Sequence, residues 1–150
     1  MNRLSLTVRS ITAFFWLGFF MAISFMEAPL KFTAPGLNMA EGLRIGKIIF
    51  GALNICEWSF LLIIIVTCII KKPTWRGFYL VAAVSVIMVA ETAWLLPVLD
   101  HNANLIIQGT PVTSHSVHWF YVLFEIIKVP VLLMIGLESG KALMGKSLTT

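Results

Sequence analysis

The chain has 150 residues, 59% of them hydrophobic, with a mean hydropathy of +0.92, a balance that excludes an ordinary soluble domain. Its net charge of +4 and pI near 9.3 come from basic residues scattered between apolar runs, with no continuous patch, which argues against a nucleic-acid partner. Its two cysteines, Cys56 and Cys68, lack the Cys-x-x-Cys spacing of disulfide-exchange enzymes; Cys68 is read as an apolar filler, while Cys56, beside Glu57, can touch the site.

Four apolar runs of bilayer length predict an all-α, four-helix transmembrane bundle that uses the whole chain as one domain. The first run, residues 11–30, follows Arg3 and Arg9 and so imitates a signal peptide. No small-x-small cleavage site comes after it, and Glu27-Ala28-Pro29 interrupts it, so it is read as a span. In the connection that follows, Asn38-x-x-Glu41 is a capping box, which starts the second helix near Met39, ahead of its apolar run at residues 48–70. Residues 71–76 form only a tight turn before the third run, residues 77–99. In the next connection, Thr110-Pro111 reads as an N-cap followed by proline at the first helical position, so the fourth helix starts near Pro111, ahead of its run at residues 116–137. Helices two and four are therefore expected to project on one side and wall a vestibule, floored by the ends of helices one and three.

The charges orient this bundle. Arg3, Arg9, Lys71, Lys72, Arg76, Lys141 and Lys146 fall on one side, against Lys31, Arg44 and Lys47 on the other, so both termini are expected in the cytoplasm. Trp75 and Tyr79 fit the inner boundary, and Trp94 and Trp119 the outer one, while Trp16 and Trp58 fall mid-span and are read as packing. The equal spacings from Pro29 to Glu57 and from Pro97 to Glu125 admit a two-helix tandem repeat, with a site at the interface of its halves.

Each apolar run carries one glutamate, Glu27, Glu57, Glu91 or Glu125, in a chain with only 7 acidic residues. A carboxylate facing lipid costs about 3 kcal/mol even on lenient insertion scales, so such acids face protein or water and mark binding sites or proton paths. On the fourth helix Ser114, His118, Tyr121, Glu125 and Lys128 share one stripe. Lys128 lies too deep to reach either surface and is predicted to pair with Glu125 on its own helix or with Glu57 across the bundle. Pro130 releases the carbonyl of Ile126 beside that pair. On the second helix Lys47, Gly51 and Asn54 share a face, with Glu57 at its edge and level with Glu125. Glu91 and Glu27 are expected nearer the mouth, where His118 and Tyr121 would complete a proton relay or cation path. The same groups can also simply tie helices together, and Glu27 can cap its helix or pair with Lys31.

A metal reading rests on His115-x-x-His118, with Glu91 or Asp100 completing a metal or haem ligand set. His101 lies in the same connection. Neither Glu-x-x-His nor His-Glu-x-x-His occurs, and the methionines show no paired spacing for copper. Gly42-x-x-x-Gly46 and Gly136-x-x-x-Gly140 permit close helix approach, within the chain or between copies.

At Phe25-Met26-Glu27-Ala28-Pro29-Leu30-Lys31-Phe32 the chain resembles a group of small, uncharacterised bacterial four-span proteins with Ala-Pro-x-x-Phe after the first helix. Their layout also has a proline closing helix three and a histidine opening helix four, matched here by Pro97 and by His115 or His118. The resemblance implies a four-helix bundle in a bacterial inner membrane and supplies no activity.

The expectation is a small integral membrane protein with an outward-opening polar site of Glu57, Glu125, Lys128, Asn54, Tyr121, His118, Glu91 and Glu27. That site would bind or move a proton, a cation or a small polar solute. One alternative is a metal- or haem-dependent membrane oxidoreductase, with His115, His118 and Glu91 as ligands. Another is an accessory subunit whose buried charges meet a partner's helices. The partners expected are the lipid bilayer and a second copy or a larger membrane complex; the sequence specifies no cofactor.

Overall fold

The structure, a computed structural model, describes residues 2–110 and 116–145. Its four rods, Arg3–Thr33, Met39–Ile70, Trp75–Ile107 and Ser116–Met144, are each long and apolar enough to cross a membrane, consistent with a multi-pass membrane protein. In detail the first rod comprises α1 (Asn2–Met21), a π turn (Ala22–Glu27), α2 (Ala28–Leu30) and a 3₁₀ turn (Lys31–Thr33). The second is α3 (Met39–Ile70). The third is α4 (Trp75–Ala90), a second π turn (Glu91–Leu95) and α5 (Leu96–Ile107), and the fourth is α6 (Ser116–Met144). No strand occurs among the described residues.

Both π turns end two residues before a proline, Pro29 or Pro97. A proline inside an α-helix has no N–H to donate and its ring clashes with the carbonyl four residues back. Here the turn before the ring is widened: Ala28 N–H reaches the carbonyl of Ile23 and Leu96 N–H that of Glu91, each five residues back. The helix then continues through Pro29 and through Pro97. Pro97 therefore does not close the third helix, which runs on to Ile107. There Gly109, at φ 79°, ends it in a Schellman motif, with Thr110 N–H on the Leu105 carbonyl and Gly109 N–H on that of Ile106.

One expectation changes as a result. The third span projects beside the second, tied to it by Lys47 on Asp100 (3.0 Å) and Asn104 (2.6 Å), so its end is no floor of a vestibule. The backbone N–H of Thr110 closes α5. Pro111, Ser114 and His115, and with them the expected start of the fourth helix, lie outside the described residues. The start of the second helix is as expected: Asn38 Oδ1 accepts from Glu41 N–H and the Glu41 carboxylate from Asn38 N–H. Thr74 caps α4 through Gly77 N–H.

The molecule is apolar outside and partly polar within. Ile48, Ile55, Leu62, Ile69, Val86 and Ile126 are exposed, while Arg9, Glu57, Glu91, Glu125 and Lys128 are buried. For a soluble protein that arrangement would expose a large apolar surface and bury costly charges. Trp75 and Tyr79 stand exposed near one end, Trp94 and Trp119 toward the other.

The first and fourth rods approach closely. At Gly136 an added Cβ would lie 2.8 Å from the Phe14 ring, and the Gly136 carbonyl accepts a hydrogen bond from Ser10 (2.9 Å). Gly42 and Gly46 seat Phe32 and Lys31 in the same way. Both small-residue motifs are thus filled inside the chain. Arg9, expected at the membrane boundary as an orienting charge, is folded inward. Its guanidinium donates to the hydroxyl (3.1 Å) and carbonyl (2.7 Å) of Thr67 and to the carbonyl of Lys71, satisfying the C-terminal end of α3.

Candidate functional site

The polar residues of the core converge at mid-height on Lys128, whose side chain is 0% exposed. Its ammonium donates to Glu57 Oε1 (2.9 Å), Glu91 Oε2 (2.9 Å) and Glu125 Oε1 (3.0 Å). The three carboxylates are 2%, 1% and 2% exposed. Three of the four rods therefore contribute an acid. The first contributes aromatics: Trp16 Nε1 donates to Glu57 Oε1 (2.9 Å), and the Phe20 ring centroid lies 5.2 Å from the ammonium.

Local structure explains the convergence. Glu125 and Lys128 are one turn apart on α6, on the same face. Glu57 faces them from the middle of α3. Glu91 opens the π turn that Pro97 requires, and the extension of the helix to Ile107 puts it at mid-span rather than near an end. The expected position of Glu91 near the mouth is thereby corrected.

An ammonium has three N–H donors, and all three are used, one on each carboxylate. Glu91 Oε1 and Glu125 Oε2 are left buried without a hydrogen-bond partner, as is the hydroxyl of Ser24 in the first π turn. Full ionisation of the three acids would place two negative charges in excess in the apolar core. Continuous apolar packing lies on one side, toward the end with the 71–74 turn: Ala13, Leu61, Ile64, Val84, Met88, Leu132 and Ile135 are all buried. On the other side the cover is Phe20, Leu53, Leu95 and Tyr121, whose ring meets the Phe50 ring edge-on.

The remaining expected site residues fall elsewhere. Asn54 and Trp58 hydrogen-bond the hydroxyl of Thr92 (2.9 Å each), joining the second and third rods beside the cluster. Glu27 pairs with Lys31 (3.5 Å), whose ammonium also lies 4.9 Å from the centre of the Phe50 ring. His118 is exposed, its ring against that of Trp119, and takes no part in the cluster. Glu91 is engaged by Lys128 and not by His118. The sequence reading missed Trp16 and Phe20; the available signal was the mid-span depth of Trp16, which matches that of Glu57.

Glu57, Glu91 and Glu125 also form the one carboxylate group among the described residues able to hold a metal ion, with one oxygen from each within 4.8 Å of the others. An all-oxygen set of this kind suits a hard cation. The Lys128 ammonium, bonded to all three, stands where that cation would bind. Two cavities, of about 240 and 740 Å³, lie at the end of the bundle with the 71–74 turn, and the cluster lines neither. Comparison with protein-family models, with curated proteins and with solved structures gave no match.

Proposed function

We propose that this is a small membrane protein of the bacterial inner membrane, with cytoplasmic termini, whose buried Glu57–Glu91–Glu125–Lys128 cluster binds charge and couples it to transport. One observation carries this reading: a single ammonium faces three carboxylates, two of which keep a buried oxygen with no partner. Three acids are more than one lysine needs. Replacing a buried ion pair by apolar residues is often neutral or stabilising, so an over-supplied one is a poor way to hold helices together. Intramembrane acids of this kind commonly mark ion or proton pathways.

In this reading Lys128 is a fixed internal counter-charge and the carboxylates exchange a mobile one. Tyr121 and Ser24, on the thinner side of the cover, would connect the cluster to the end bearing Lys31, Lys47 and Asp100. The basic residues around the 71–76 turn support assigning the opposite end to the cytoplasm. The test is proton or cation flux in liposomes, comparing wild type with Glu125→Gln. The variant is expected to keep its helical fold and lose flux; undiminished flux would defeat the transport reading.

A further inference from the structure

We propose that the charge bound by the cluster is the proton, with two of the three carboxyls each holding one and the third remaining ionised as the partner of Lys128. This rests on the cluster being a charge-binding site and specifies its ligand.

The groups facing one another are few. The first rod offers Trp16 and Phe20, neither of which titrates. The second offers Glu57, the third Glu91, and the fourth Tyr121, Glu125 and Lys128. Arg9 is committed to the carbonyls at the end of α3, about two helical turns from Trp16. Within the apolar core, two of the three negative charges therefore have no counter-charge. A buried carboxyl in this position neutralises itself rather than remain an uncompensated anion.

Three features favour a proton over a metal cation. The ammonium is hydrogen-bonded to all three acids, so the central position is filled. A proton needs no cavity and no ligand beyond the carboxylate oxygen that takes it, whereas a hard cation needs several oxygen ligands around it. The partnerless oxygens also match the charge excess. Two fully buried oxygens have no partner, on Glu91 and Glu125, while Glu57 Oε1 accepts from both Lys128 and Trp16.

Infrared spectroscopy of the protein in liposomes at neutral pH, recording the carbonyl stretch of protonated carboxyls, tests this. Wild type is expected to show a band from the two protonated acids. Glu91→Gln and Glu125→Gln should each lose about half of it, because neutrality then requires one proton fewer. Lys128→Met should raise it to about one and a half times the wild-type area, since all three acids must then be neutral. If Lys128→Met does not fold, the two glutamine variants carry the same test. Absence of the band in wild type, or its persistence at full area in both glutamine variants, would overturn the proposal, as would stoichiometric metal in elemental analysis. A missing band with flux still abolished by Glu125→Gln would remove the proton and leave the transport reading. A wild-type band that halves in the glutamine variants, with normal flux in Glu125→Gln, would keep the proton and remove the transport reading.

Discussion

Lys128→Met removes the one cation of the carboxylate cluster while nearly preserving its volume. The ammonium makes three charge-assisted hydrogen bonds of 2.9, 2.9 and 3.0 Å at a position with no solvent exposure. Methionine can replace the apolar contact with Phe20 but none of these bonds. Removing one partner of a buried ion pair typically costs about 3–5 kcal/mol, because the remaining charge is left uncompensated. At about 1.4 kcal/mol per tenfold change, that shifts the folded-to-unfolded ratio by roughly two to three and a half orders of magnitude. The assay is reversible unfolding in mixed micelles, followed by tryptophan fluorescence, for which Trp16 is a local reporter through its bond to Glu57. The deficit should shrink as pH falls, since without the lysine the third acid must also hold a proton and the folded variant therefore binds more protons than its unfolded chain. The double variant Lys128→Met/Glu57→Gln should recover much of the loss, because no obligatory charge remains. A single-variant loss under about 1 kcal/mol, or a double variant no more stable than Lys128→Met, would refute the account of Lys128 as the counter-charge of the core.

Two other substitutions test how the bundle holds this site. Gly136→Val places a side chain where a Cβ would already lie 2.8 Å from the Phe14 ring, and overpacking of that kind should cost about 1–3 kcal/mol in the same unfolding assay. A second substitution, Phe14→Ala, should relieve part of it. Arg9→Gln removes a buried guanidinium from the Thr67 and Lys71 carbonyls, and hydrogen bonds to charged groups are worth about 1.5–3 kcal/mol each. Hydrogen exchange should accelerate in the last turn of α3 while protection around Glu57 remains; uniform loss along α3 would contradict a local capping role.

The depth of a polar group along its rod is legible from the chain where the ends of the rod are, because a helix advances about 1.5 Å per residue and apolar runs locate the bilayer. Counting in this way brought Glu57, Glu125 and Lys128 to one level and required Lys128 to be paired. It also found the capping box at Asn38. What counting could not give is rotation about each helix axis. These helices are apolar nearly all round, so their sequences hold little information about which face turns inward. Trp16 looked like packing for that reason and is a hydrogen-bond donor to the site.

Glu91 failed for a different reason. Pro97 looked like a stop, which placed the end of the helix too early and Glu91 too near the mouth. A π turn absorbs the ring, the helix continues, and the same turn contains Glu91. Whether a proline ends or widens a helix depends on whether packing supports the continuation, as the Lys47–Asp100 and Lys47–Asn104 contacts do here. Likewise Arg9 reads as a topology charge until the end of α3 is seen beside it, and the glycine motifs read only as places of close helix approach until Phe14, Phe32 and Lys31 are seen to fill them. The sequence by itself determined four rods, their depths and the need for a buried charge pair, because these follow from rise per residue and the cost of charge in an apolar medium. Only the tertiary structure decided that three acids share one lysine, because that depends on how four nearly featureless cylinders are rotated against one another.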